Sequence, residues 1–212
     1  MAAKAGHDEL DDRLQHRMLF FTDAVFAIVL TILVLELKPP ESWPEATPET
    51  LLHAAPHIGA FIFSFFIGAV FWAAHMNITR GLLRFDWLTA IANLGALLPV
   101  CLLPYATAWI GADLGGAFAW SIYCWVMVAI SIGNLGLVLV AYRGGGRLIQ
   151  GGAPKGELAY RLARAAAPGI AFGVGLILLA SGLVTLAHFC ALLIPLVFLA
   201  AGRFLRPKPA AP

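Results

Sequence analysis

Six long apolar runs, at residues 19–37, 57–74, 87–110, 117–141, 165–185 and 187–202, alternate with short polar segments that hold nearly all the charges. A helix rises 1.5 Å per residue, so about 20 apolar residues cross the ~30 Å hydrocarbon core of a bilayer. The pattern therefore predicts an all-α integral membrane protein with six transmembrane helices. Residues 1–18 are expected as a cytoplasmic N-terminal segment, 19–203 as one membrane domain and 204–212 as a cytoplasmic tail. The last two runs are the least sharply separated: the turn at Ala187 and His188 is very short, and Pro195 is placed to kink the final helix. A five-span reading would put the C-terminus outside.

Charge decides between these threadings. With six spans, Lys4, Arg13, Arg17, Arg80, Arg84, Arg143, Arg147, Lys155, Arg161, Arg164, Arg203, Arg206 and Lys208 share one side. Only Lys38 is left on the other. Thirteen of fourteen basic residues then obey the positive-inside rule, which predicts that both termini are cytoplasmic. The first outer segment is opposite in sign: Glu36, Lys38, Glu41, Glu45 and Glu49 carry a net −3, and Asp113 joins them from the next outer connection. A negative mouth concentrates cations over about a Debye length without choosing among them. For any one of these acids, a solvated loop is an equally good reading.

Composition agrees: 60% of the 212 residues are hydrophobic, only 12% are charged, and the mean hydropathy is +0.84. Cys101, Cys124 and Cys190 lie within apolar runs without metal-ligand spacing and read as packing or lipid-facing residues. The acidic stretch from His7 to Asp12 precedes a full-length span, unlike a cleavable leader. Pro39, Pro40, Pro44 and Pro48 predict a stiff, non-helical outer loop. Gly144–Gly146, Gly151 and Gly152 predict a loose connection before the fifth span. The basic residues are dispersed as topology requires, which argues against a nucleic-acid partner. Ser64, Ser121, Ser131, Ser181, His53, His57 and His75 form no nucleophile-base spacing, and no zinc-protease motif is present, so an enzyme is not expected.

The first span carries the candidate chemistry. Asp23 sits near its start, where a carboxylate needs a polar partner or an interfacial position. At about 100° per residue, Ile28 and Leu35 fall within about 20° of each other, with Thr31 beside them and Asp23 about 140° from Ile28. If the Ile28 stripe faces a pore, Asp23 points into surrounding helices and braces them. Periodicity alone favours ordinary packing or lipid contact for this stripe. Trp72 and His75, three apart near the end of the second span, share a face. A rival reading is a small proton-coupled secondary transporter in which Asp23 and His75 form a proton relay.

The stretch from Arg17 through Phe21, Thr22 and Asp23 to Leu35 resembles the first helix of the transmembrane protein 175 potassium channel family, in which an arginine precedes a Phe-Ser-Asp triplet. Here Thr22 stands for the serine. Trp72 and His75 resemble the family's second-helix Trp and His, and Asn93, Pro99, Pro104 and Thr107 suit its third helix in general character. The resemblance is specific over the first helix and merely topological after about residue 110. It implies a homotetramer of six-span subunits in the lipid bilayer, conducting potassium and other monovalent cations through a pore lined by four first helices. Family pore positions map onto Ile28, Thr31 and Leu35, with a ring of Ile28 as a hydrophobic constriction. Arg17, Phe21, Thr22, Asp23, Trp72 and His75 become a bracing cluster. No cofactor is implied beyond permeant potassium. The chain contains neither a Thr-Val-Gly-Tyr-Gly filter nor an internal repeat.

Overall fold

Helix α1, Ala2–Ile32, continues into a 3-10 turn, Leu33–Glu36. It is followed by α2 (Pro48–Thr79), α3 (Trp87–Val100), α4 (Leu103–Ala112), α5 (Ala117–Ala141), α6 (Glu157–Ala180) and α7 (Leu193–Phe204). The computed structural model describes residues 2–37, 48–149 and 156–205. Lys38, Pro39, Pro40, Glu41, Pro44, Glu45, Gly151, Gly152, Lys155, Arg206 and Lys208 lie outside them, as do the side chains of Lys4 and Glu49. Among the described residues five stretches are long and apolar enough to cross a membrane: 13–36, 54–79, 87–112, 117–141 and 157–180. Cys190–Phe204 is a shorter apolar segment.

Several boundaries differ from the hydrophobic pattern. α1, at 31 residues, would span about 46 Å, so its first turns overrun the hydrocarbon core. α2 begins at Pro48, so this proline starts a helix instead of extending the loop; a first helical position loses nothing by lacking an N–H. The third span is two helices broken at Cys101 and Leu102, with Pro104 in the first turn of α4. α6 starts eight residues before the expected 165 because Glu157, Tyr160, Arg161 and Arg164 extend the helix beyond its apolar part. It stops at Gly182, whose φ of +77° ends the helix.

The last segment is a turn, Val184–Ala187, a 3-10 turn, Cys190–Leu192, and the 12-residue α7. Twelve residues rise only about 18 Å. Pro195 lies in the first turn of α7, where its missing donor costs little, so it does not kink the helix. Nor is the stretch after α5 loose at Gly144–Gly146: these glycines, with φ of +62°, +76° and +79°, make a left-handed turn.

Lipid tails are as apolar as leucine, so close packing and hydrogen bonds must hold the helices together. A Cβ at Gly133 would lie 2.7 Å from Ala96 Cα, and one at Gly68 would lie 2.6 Å from the Leu30 side chain. Glycine thus lets α5 approach α3, and α2 approach α1. Between α5 and α6, Ser131 Oγ enters the helical ladder: it donates to Ala165 O and accepts from Gly169 N. Phe26 and Val29 of α1 and Leu33 of the 3-10 turn join Phe71, Leu103, Tyr123 and Met127 in one buried cluster. Cys124 and Cys190 are buried there too, whereas Cys101 is exposed.

Polar clamps close both ends. At one end, the chain after α2 pairs with the chain after α5 through Leu83 N to Leu148 O (2.8 Å), and Gln15 Nε2 of α1 donates to Leu82 O (2.7 Å). Arg143 binds Asp86, which also caps α3 by accepting from Thr89 N (2.9 Å) and Thr89 Oγ1 (2.7 Å). Partial burial pushes the Asp86 carboxyl up. The Thr89 and Arg143 hydrogen bonds and the Arg143 charge outweigh this and hold it at about 2. At the other end, Leu114 O accepts from both Trp120 Nε1 (2.7 Å) and His188 Nε2 (2.9 Å), and the two rings meet edge-on at 4.6 Å.

Candidate functional site: the two faces of the first helix

α1 has two faces with different partners. Thr22, Phe26, Val29 and Leu33 recur at helical spacing and are buried against the bundle. On the other side Phe21, Ile28, Thr31 and Leu35 are exposed; Ile28 is 56% and Leu35 68% accessible in the single subunit. Thr31 Oγ1 donates to Ile28 O (2.9 Å), so the hydroxyl lies along the helix wall. Leu35 falls in the 3-10 turn, which advances about 120° per residue. Its offset from Ile28 becomes about 40° instead of the ~20° of an unbroken α-helix. The three residues still share one side.

Behind that stripe is a polar network across four helices. Trp72 Nε1 of α2 donates to Asp23 Oδ1 (2.9 Å). Thr22 Oγ1 donates to Met18 O (2.8 Å) and accepts from Asn93 Nδ2 of α3 (2.9 Å). His75 is fully buried, with Nε2 2.9 Å from Asn93 Oδ1 and Nδ1 2.9 Å from Asn134 Oδ1 of α5. Phe26 packs over its ring at 5.6 Å. A charged imidazolium donates at both nitrogens and matches two oxygens. A neutral ring is satisfied when one carboxamide turns its NH2 inward. In either state the network ties α1, α2, α3 and α5 together.

Among the residues singled out in the sequence, the structure brings Thr22, Asp23, Trp72 and His75 into this region. Arg17 and Phe21 stay apart: both line an open groove with His16, Phe20 and Ala24. Asp23 and His75 are not hydrogen-bonded to each other; each has its own partners. Sequence reasoning missed Asn134. Its signal was available, since a carboxamide inside the apolar run 117–141 must find a partner within the bundle.

Known proteins resemble this chain in both sequence and fold. A family model for the endosomal/lysosomal potassium channel TMEM175 matches residues 17–104, the segment holding the α1 stripe, Trp72, His75 and Asn93. A potassium channel of Chryseobacterium sp. (strain P1-3) is 38% identical over 97 residues, covering 46% of this chain and 49% of that protein. The endosomal/lysosomal proton channel TMEM175 of Rattus norvegicus is 28% identical over 140 residues, covering 64% of this chain and 27% of that protein. The chain thus spans about half the length of the first of these relatives and about a quarter of the second. The crystal structure of a lysosomal potassium-selective channel TMEM175 homolog from Chamaesiphon minutus superimposes with a TM-score of 0.73 at 27% identity, covering 88% of this chain and 97% of that one. With its motif-bearing helices matched in sequence and nearly the whole chain matched in fold, the protein is a multi-pass membrane protein that is similar to the TMEM175 channel family and shares the fold of its Chamaesiphon minutus homolog.

Proposed function

We propose that this protein is one subunit of a potassium-permeable cation channel, in which four copies of α1 surround the conduction path. The observation that carries the reading is the asymmetry of α1: its polar network and Phe26 stripe face the subunit's own helices, while Ile28, Thr31 and Leu35 are left uncovered. An axis running past that face gives stacked apolar, hydroxyl and apolar rings. Ile28 is the constriction, gating by loss of water when narrow. Asp23, Thr22, Trp72 and His75 hold α1 at its angle from outside the path. Arg17 and Phe21, exposed in one subunit, are placed toward the next. The names of relatives support a channel, and one calls its protein potassium-selective.

The threading proposed is six spans with both termini in the cytoplasm of a bacterial inner membrane, the short Cys190–Phe204 segment being the sixth. The separate partners of Asp23 and His75 argue against the rival proton relay, which would need the two connected. No enzymatic step is assigned to this arrangement.

The test is a bilayer recording of purified protein in asymmetric potassium and sodium. Unitary currents reversing toward the potassium equilibrium potential are expected. Saturating exchange without unitary events would favour a carrier, and reversal tracking pH alone would favour a proton path, the activity named for the rat relative.

A further inference from the structure

A second site lies between α2 and α6, and none of its lining residues belongs to α1. Between the end of α2 and the start of α6 is a cavity of about 190 Å³, lined by Ala74, Asn77, Ile78, Tyr160, Arg161, Arg164 and Ala165. It is smaller than the ~300–1,000 Å³ of pockets that enclose organic ligands, and large enough for a phosphate group. Arg161 and Arg164 stand four and seven residues into α6, about 6 and 10 Å along the axis from Glu157. Both immediately precede the apolar run that begins at residue 165, where a membrane-crossing helix would leave the hydrocarbon for the headgroup region.

The cavity is rich in uncommitted donors. An arginine carries five N–H donors. Arg161 directs Nε to Glu157 Oε1 (2.6 Å) and one Nη1 hydrogen to Asn77 O (2.6 Å). Arg164 directs one Nη1 hydrogen to Tyr160 Oη (2.9 Å), which leaves the tyrosine proton itself available. The Arg164 guanidinium packs over the rings of Phe198 (4.8 Å) and Tyr160 (5.6 Å), which fixes its plane, and it meets no carboxylate among the described residues. Glu157 offsets Arg161, so the group as a whole carries one net positive charge. One planar, pre-oriented guanidinium with a second beside it is the geometry that binds a phosphate oxygen pair.

We propose that this cavity binds the phosphate of an anionic phospholipid of the adjoining leaflet. A lipid is favoured over a soluble anion because the site lies between two membrane-crossing helices at headgroup depth, and the cavity holds a phosphate but no acyl chain, which must stay in the bilayer. Bound there, the lipid bridges α2, which carries Trp72 and His75, to α6. The assignment does not depend on ion conduction.

Lipid retention by the purified full chain, read by native mass spectrometry from mixed phosphatidylglycerol and phosphatidylcholine micelles, tests it. Phosphatidylglycerol should be retained preferentially, and a photoreactive headgroup analogue should label the peptides containing Asn77 and Tyr160. Arg164→Gln should lower that retention about fivefold, the ratio matching the ~1 kcal/mol a basic side chain contributes at an anionic surface. Ala74→Leu, which fills the cavity without touching either charge, should do the same, and it carries the test if Arg164→Gln does not fold. Inorganic phosphate at matched concentration should not displace the lipid. Equal retention of both lipids by the parent, labelling only elsewhere, or unchanged retention in the variants overturns the proposal. Displacement by phosphate alone would make the site one for a soluble anion and overturn the lipid assignment.

Discussion

His75 and Asp23 occupy neighbouring positions in the bundle under different physical constraints. The imidazole has no access to solvent and both of its nitrogens meet carboxamide oxygens, so its removal leaves Asn93 and Asn134 facing a void. Each buried group left unpaired costs about 1–3 kcal/mol. His75→Ala should therefore lower the thermal unfolding midpoint of the detergent-purified protein clearly. Asp23→Asn keeps an acceptor for Trp72 Nε1 and should lower it less, while weakening a charge-assisted bond. Both should alter assembly or opening more than ion preference, because neither belongs to the Ile28 stripe. Normal stability and opening with an inverted preference among cations would contradict that division. Thr22 shows how the triplet works: its hydroxyl serves two hydrogen bonds, as a serine would, and the added methyl is accommodated in a buried position.

At the scale of elements, the connections after α2 and α5 behave as a latch that joins these helices to α1. Asp86 is its titrating member. The carboxyl is held at about 2, below its ordinary 3.8, so the charged form is favoured in the folded state. Its contribution to stability is complete above the ordinary value and is lost as pH falls from about 4 toward 2. An unfolding series between pH 5 and pH 2 should show this loss in the parent and a shallower fall in Asp86→Asn. Identical slopes would mean that the Arg143 contact adds nothing. The effect should be modest and salt-sensitive, because the Asp86 side chain is 37% accessible.

The elements also show what was legible beforehand. The span 117–141 was readable to the residue, since the Gly115–Gly116 pair precedes a predominantly apolar run and Arg143 follows it closely. The start of α6 was not, because hydropathy is blind to a helix that continues through Glu157, Arg161 and Arg164. The break at Cys101 was hidden for the opposite reason: it lies inside continuous apolar sequence and follows from Pro104 beginning a new helix. That Ile28, Thr31 and Leu35 share one side of the first span, with Asp23 offset from it, was legible from helical period; a pore-lining role was not, because periodicity alone favours packing or lipid contact. The Asn93–His75–Asn134 chain was not, since it joins three helices whose register no local pattern encodes.

For the whole molecule, the central claim is that the uncovered face of α1 becomes the wall of a conduction path when subunits assemble. A branched apolar ring gives a cation no oxygen ligand and retains water poorly in a narrow neck, so Ile28→Asn should ease wetting, raise current and weaken discrimination among monovalent cations. The most direct measurement is modification of Ile28→Cys by silver ion during recording, with the parent chain as reference for Cys101, Cys124 and Cys190. The account predicts rapid block of open Ile28→Cys channels and no comparable block of the parent. Open channels whose current persists unchanged in silver, at the same rate as the parent, would show that Ile28 does not line the path and would contradict the claim.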